Sequence, residues 1–429
     1  MEHTKALLEF IKNTPSCFHA VTNICANLCR EGYTELHESE MWDIIPGGKY
    51  YVTRNGSSVV AFSVPENIGT PKFMIAASHS DSPSFKIKDT PELDGGMYTR
   101  ISTERYGGMI LDSWLDRPLS AAGRLLVRTE DGVSSKLVDI DRDIMLIPHV
   151  AVHMENPNNG KTYNPASDMI PLYGDGAAKG SFMKLAAESA GVDADDIVAH
   201  ELFLYNRQAP SLWGANGEFI SSPKLDDLEC AFSSMCALTS ANPGKAVAVM
   251  FVADNEEVGS TTKQGAGSTF LYDTLSRICD ALGGDIRIAA AQSMMLSADN
   301  AHAVHPNNPG LSDPTHRPEM NKGVVIKYNA SQLYTTDAIS SAVFREICRR
   351  ADVPTQVFAN RSDMRGGSTL GNISNAQVSM SAVDIGLAQL AMHSSYETAG
   401  AHDVKHMINA IKHFYETELI CRGADVKIV

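Results

Sequence analysis

No Cys-x-x-Cys pair occurs in this chain. Its eight cysteines stand apart at positions 17, 25, 29, 230, 236, 279, 348 and 421, with neither zinc-ribbon pairing nor the density of a secreted disulfide framework. Reduced thiols in a cytoplasmic protein are the simplest reading. Excess basic charge is missing too. The 36 Lys and Arg against 51 Asp and Glu leave a net −15, which argues against a general nucleic-acid binder, since that would show a basic stripe. No window approaches the roughly 18 apolar residues of a membrane span. The start, MEHTKALLEFIKNTPSCFHAV, alternates apolar and charged residues and lacks the apolar stretch of a signal peptide. Internal repeats and low-complexity tracts are absent. What is there is a globular composition, 43% hydrophobic and 20% charged. At 429 residues it implies two domains, or one large domain carrying an insertion.

The pattern along the chain favours an α/β sheet interrupted by a β-rich insert. The opening predicts an amphipathic helix, a turn at Asn13-Thr14-Pro15 and a second helix. KYYVTRNGSSVVAFSV then predicts two strands joined by Asn55-Gly56, and KFMIAASH a short strand buried in a parallel sheet. From about 88 to 222 the pieces MYTRISTERYG, GRLLVRTEDGV and SSKLVDIDRDIMLI alternate with turn residues, and NPNNGKTYNPASD makes a long polar loop. Helix and strand alternate again from about 223, ending in a helix from about 396. The expected division is therefore 1–87 plus 223–429 for a discontinuous catalytic domain and 88–222 for the insert.

Five stretches place metal-type ligands at or just beyond an apolar segment: SHSDSP (His79, Asp81), SPKLDDLE (Asp226, Asp227), ADNEEVGS (Glu256, Glu257), SADNAHAVHP (Asp299, His302, His305) and LAQLAMHSS (His393). Loops beyond the carboxyl ends of parallel strands converge on ligands, and a His, Asp and Glu cluster there suits zinc or a similar divalent cation. Each residue alone has an ordinary use. Asp226 caps a helix as readily as it binds a metal, Asp299 forms a turn, and His79 or His393 serves as a hydrogen-bonded loop or core histidine. The adjacent glutamates resist that treatment. If the backbone turns between them, one carboxylate can bind metal while the other accepts a proton from a metal-bound water. A carboxylate bridging two ions about 3.5–4 Å apart would complete such a site, and Asp226, ahead of a helix, is placed for it. The glycine-rich DMRGGSTLG lacks a Walker lysine and the G-x-G-x-x-G spacing, which argues against nucleotide binding.

These stretches, in this order and at these spacings, resemble the M18 metallo-aminopeptidases of the aspartyl aminopeptidase group. The likeness runs from FHAV to the final helix, and YGGMILDSWLDRPLSAAGR with IPHVAVH look like the family's inserted dimerisation domain. The resemblance implies release of N-terminal, acidic amino acids from peptides by a metal-bound hydroxide. One zinc would be held by His79 and Asp299, the other by Glu257 and His393, with Asp226 bridging; manganese or cobalt are substitutes. Glu256 would be the general base and Asp81 would orient His79. His153, the second histidine of PHVAVH, would reach a neighbouring subunit's site and stabilise the tetrahedral intermediate. Lys327 in VVIKYN would pair with the acidic substrate side chain, a buried ammonium being costly without a counter-charge. A tetrahedral homododecamer enclosing the active sites is implied as well. Arg365-Gly366-Gly367-Ser368-Thr369 departs from the Cys-Gly-Thr-Thr-type stretch of the group, which touches the pocket's details. Two other classes share these residues: another dinuclear hydrolase, such as a carboxypeptidase or deacylase, and a non-catalytic assembly protein on the same fold.

Overall fold

Alternation of side chains across extended backbone builds the centre of the molecule. In the computed structural model, which describes residues 1–93, 96–155 and 160–429, all seven residues of Val247–Ala253 are buried. Val247, Val249, Phe251 and Ala253 enter one core, while Ala248, Met250 and Val252 enter another. Phe73–His79 divides in the same way, with Phe73, Ile75 and Ala77 on the first face and Met74 and Ala76 on the second. Strands apolar on both faces need helices on both faces. Glu2–Lys12, Cys17–Arg30, Leu225–Ser240, Ala338–Arg350 and Asp403–Glu416 cover one side. Phe270–Ala281, Ile286–Ala291 and Leu370–Gln377 cover the other.

The main sheet has nine strands in the order Thr34–Leu36, Lys49–Arg54, Ser58–Ser63, Val247–Ala253, Phe73–His79, Met294–Ala298, Ser381–Gly386, Val324–Tyr328 and Thr355–Ala359. Its central strands are parallel and in register, Ala253 opposite His79 and Ser297 opposite Ala77. Their carboxyl ends therefore emerge along one edge. The expected hairpin forms through Asn55 and Gly56, both in left-handed backbone (φ 60° and 66°), and Arg54 pairs with Ser58.

A second, six-stranded sheet is antiparallel, in the order Gly132–Asp139, Leu119–Thr129, Ile197–Asn206, Ser84–Leu93, Tyr98–Tyr106 and Leu172–Asp175. It buries Phe85, Leu119, Leu125, Ile147, Phe182 and Leu202. Such side chains contribute about 1.5–3 kcal/mol each, enough to give this unit a core of its own. A third sheet joins Ser211–Trp213 and Phe219–Ser222 to Glu397–Gly400, Ala388–Leu390 and Ala301–His302. The last long helix begins at Asp403 rather than near 396, because residues 397–400 are taken up as a strand paired with 219–222. In the polar segment NPNNGKTYNPASD, residues 156–159 lie outside the described residues. Among the described residues no helix is long and apolar enough to cross a membrane.

Candidate active site

Three neighbouring strands deliver three groups of polar residues to the same edge. His79 ends its strand; Glu256 and Glu257 follow Val247–Ala253 in a short turn; Asp299 follows Met294–Ala298. Asp226 comes from the start of the helix Leu225–Ser240 and His393 from the loop after Ala388–Leu390. The peptide between Asp226 and Asp227 is cis. Three of these approaches pass through left-handed backbone at non-glycine residues: Lys224 (φ 59°), Asn255 (φ 60°) and His393 (φ 67°). That conformation costs roughly 1–2 kcal/mol at a residue with a Cβ and gathers at functional sites.

Asp226 lies between two imidazoles. Its Oδ1 is 3.4 Å from His79 Nε2 and its Oδ2 is 3.7 Å from His393 Nε2. Glu257 Oε2 is 3.4 Å from His393 Nε2. Potential ligand atoms of His79, Asp226, Asp227 and Asp299 fall within 4.8 Å of one another, as do those of Asp226, Glu257 and His393. Both groups contain Asp226. All of these but Asp227 line a cavity of about 550 Å³ together with Glu256, His302, Lys327, Tyr334 and the loop residues Gly367 to Thr369.

A second layer of carboxylates holds the backbone of the first. Asp227 accepts the His79 N–H at 3.1 Å. Glu397 takes the Asp226 N–H at 3.0 Å with one oxygen and the His393 N–H at 2.8 Å with the other. Asp81 accepts the N–H groups of Glu256 and Glu257 at 3.1 and 3.2 Å and the Tyr106 hydroxyl at 2.7 Å. His79 Nδ1 donates to the Asp81 carbonyl at 3.1 Å, with Asp81 Oδ1 at 3.3 Å. The carbonyl can only accept, so Nδ1 carries a proton and Nε2 is the ring atom turned to the cavity.

The charge balance calls for cations. Burial pushes Glu256 up to about 8 and Asp299 up to about 6, the latter opposed by Lys327, and with help from Asp226 it drives Glu257 well above the usual carboxylate range. Burial alone would lower the His79 imidazole, but Asp227, Asp226 and Asp81 overturn that and raise it well above its ordinary value. Two imidazoles and one lysine do not offset so many carboxylates. Asp226 Oδ1 and Glu257 Oε1 are buried without a hydrogen-bond donor, although nearly all buried polar atoms in proteins have a partner. Oxygen and imidazole atoms converging on the same space are the donor set of a zinc-type centre.

His79, Asp226, Glu256, Glu257, Asp299, Lys327 and His393 thus meet around one cavity, with Asp81 behind them on the Glu256 and Glu257 N–H groups. His153 does not meet them within the chain: it is exposed on the turn 152–154. His302 lines the cavity against Phe358, whereas His305 is exposed and accepts the Asn307 N–H. Lys327 departs from the expected unpaired ammonium. It is 2% exposed and donates to the carbonyls of Asp299 and Asn300 at 2.7 and 3.2 Å, with Asp299 Oδ2 at 3.7 Å. Sequence reasoning missed Glu397 and Tyr106. A lone glutamate in a segment read as helix gave no signal, and Tyr106 acts from a strand of the other unit.

A sequence profile described as Aminopeptidase I zinc metalloprotease (M18) matches residues 10–415. A Clostridium novyi protein named Probable M18 family aminopeptidase 2 is 45% identical over 421 residues, spanning 95% of this chain and 97% of its own. A Clostridium acetobutylicum protein of the same name is 43% identical over 427 residues, 97% and 99% of the two chains. Among solved structures, a chain of the Ape4 and Nbr1 complex, determined by cryo-EM, superposes with a TM-score of 0.93 at 35% identity, covering 96% of this chain and 85% of that one. The S. cerevisiae mApe1 dodecamer superposes at 0.85 with 27% identity, covering 96% of each. The profile spans nearly the whole chain and the relatives match end to end, so this protein belongs to the M18 family and is a zinc metallo-aminopeptidase, a hydrolase.

Proposed function

We propose that the cavity holds two zinc ions per chain, one between His79 and Asp299, the other between Glu257 and His393, with Asp226 shared. The observation that carries this reading is the Asp226 carboxylate facing one imidazole with each oxygen. The ions would supply acidity to a bound water and polarise the scissile carbonyl. Glu256 accepts the proton of the attacking water and returns it to the leaving amine. Burial raises its proton affinity in the metal-free protein, the direction that helps a carboxylate take up a proton. The substrate's free amine lies among the carboxylates of the cavity, so the enzyme removes residues from the N-terminus.

Preference for an acidic N-terminal residue is supported by Lys327, the one lysine or arginine among the described residues lining the cavity. An ammonium has three donors. Two go to backbone carbonyls, and Asp299 Oδ2 at 3.7 Å is beyond hydrogen-bond reach of the third. That donor is left for a substrate carboxylate.

The six-stranded unit, with His153, we assign to self-association in a tetrahedral dodecamer. Val150, Val152 and Met154, 43%, 59% and 83% exposed around His153, form an apolar segment that a neighbouring copy would cover. The mApe1 dodecamer among the structural relatives supports the same reading. In such an assembly His153 would steady the developing oxyanion in the neighbour's site. The thiols are free, which fits a cytoplasmic setting.

The test is a panel of aminoacyl chromogenic substrates with free and acetylated amines, run alongside elemental analysis. Aspartyl and glutamyl substrates should lead, acetylation should abolish cleavage, and zinc should approach two ions per chain. Lys327→Ala should erase the acidic preference. Equal rates on leucyl and aspartyl substrates would sink the pocket assignment, and cleavage of acetylated peptides would point instead to another dinuclear hydrolase.

A further inference from the structure

The inserted unit reaches into the metal centre through one hydroxyl. Tyr106 ends the strand Tyr98–Tyr106 of the six-stranded sheet. Its ring packs edge-on against Phe203 of the same sheet at 5.3 Å. Its oxygen leaves that core, donates to Asp81 Oδ2 at 2.7 Å and accepts from Asn255 Nδ2 at 2.8 Å. Asn255 is itself fixed at Oδ1 by Thr262 and Gln264, at 2.8 and 2.9 Å. The chain of donors therefore runs in one direction, from Gln264 through Asn255 and Tyr106 to the carboxylate that receives the Glu256 and Glu257 N–H groups.

The residues after Tyr106 continue along the second pair of ligands. Gly107 has φ +78°, and a Cβ there would stand 3.1 Å from Glu257 Cβ and 3.2 Å from its carbonyl. Ile110 donates its N–H to the His393 carbonyl at 3.0 Å. Ser113 accepts twice from Ser395, its N–H at 2.9 Å and its hydroxyl at 2.5 Å. The segment 106–113 is thus a wall of the metal centre contributed by the unit that lies outside the main sheet.

We infer that Tyr106 is a positioning residue: through Asp81 it fixes at once the imidazole of His79 and the turn that presents Glu256 and Glu257. Asp81 is the only link the hydroxyl needs, because its carboxylate and carbonyl together hold one residue of each expected ligand pair. The inserted unit then acts on the chemistry from within its own chain, separately from anything His153 does in a neighbour. The inference rests on the reading of His79 and Glu257 as zinc ligands.

The test compares Tyr106→Phe with Tyr205→Phe in the full-length, zinc-loaded protein. Phe at 106 keeps the packing on Phe203. Tyr205, in the same sheet, donates to Asp139 at 2.7 Å, so its loss reports the cost of removing a hydroxyl from this unit. Outer hydrogen-bond partners of metal ligands typically change affinity by about 10–100-fold. Tyr106→Phe should give up zinc at roughly tenfold lower chelator concentration and lose kcat about tenfold, with KM within about twofold, while Tyr205→Phe matches the parent in each. Zinc retention in Tyr106→Phe equal to that in Tyr205→Phe would overturn the inference. His79→Ala serves as the reference: zinc kept there overturns the ligand reading itself, whereas zinc lost there and kept in Tyr106→Phe overturns the role of Tyr106 alone.

Discussion

Glu256 and Glu257 are neighbours in sequence with their N–H groups on the same carboxylate, yet only Glu257 shares a ligand cluster with Asp226 and His393. Glu256→Gln removes the proton acceptor and keeps the shape. It should lower kcat by about 10²–10⁴-fold with zinc content unchanged, and elemental analysis beside steady-state kinetics checks both. A second residue-scale consequence concerns pH. Burial, aided by Asp403, pushes Glu229 up to about 8; burial, aided by Asp81, pushes Asp254 up to about 7. The folded state then binds protons that the unfolded chain releases above about pH 4–4.5. Raising the pH through that window favours unfolding. The thermal midpoint of the zinc-free protein should therefore fall steadily between about pH 5 and about pH 8. A midpoint that rises over this range contradicts the assignment.

At the scale of elements, legibility follows from where a residue makes its contacts. The stretches that converge on the cavity could be read because polar residues interrupt strands that are otherwise buried end to end, as FMIAASH and VAVMFVA are. The hairpin at Asn55-Gly56 was legible because only a few residues accept its backbone. The supporting carboxylates were not. Glu397 is 171 positions from Asp226 and works through backbone N–H groups, which leave no trace in sequence. Its strand was read as helix because residues 397–400 are too few to show an alternating pattern. The pairing of Lys327 escaped for a related reason, since its partners are the carbonyls of Asp299 and Asn300. Glu397→Gln tests this layer. An amide presents an oxygen to one ligand's N–H and an NH₂ to the other's, so one of Asp226 and His393 loses its acceptor. Zinc affinity should drop about 10–100-fold, measured by competition with a chromogenic chelator, while far-ultraviolet circular dichroism stays as in the parent.

At the scale of the whole molecule, the role proposed for His153 calls for a second chain, because this residue stands exposed outside the cavity. Subunit mixing tests whether a neighbour supplies it. His153→Ala and Glu256→Gln should each be poorly active alone, and light scattering should report about twelve chains of 46.4 kDa for both. Reassembled together, they should regain activity, because a His153→Ala site keeps its own Glu256 and receives His153 from the other variant. Mixtures no more active than their parts would confine His153 to its own chain.

The register of the central sheet has a consequence for ion choice. His79, the glutamate pair and Asp299 leave three adjoining strands, whose pitch of about 4.8 Å is dictated by peptide geometry and not by which side chains the positions carry. If the cavity holds two cations as proposed, the sheet is a ruler for the gap between them. A bulkier ion such as cadmium would be accommodated by swivelling carboxylates, with the strands no farther apart, so the enzyme should discriminate among divalent ions by their appetite for oxygen or nitrogen more than by their radius.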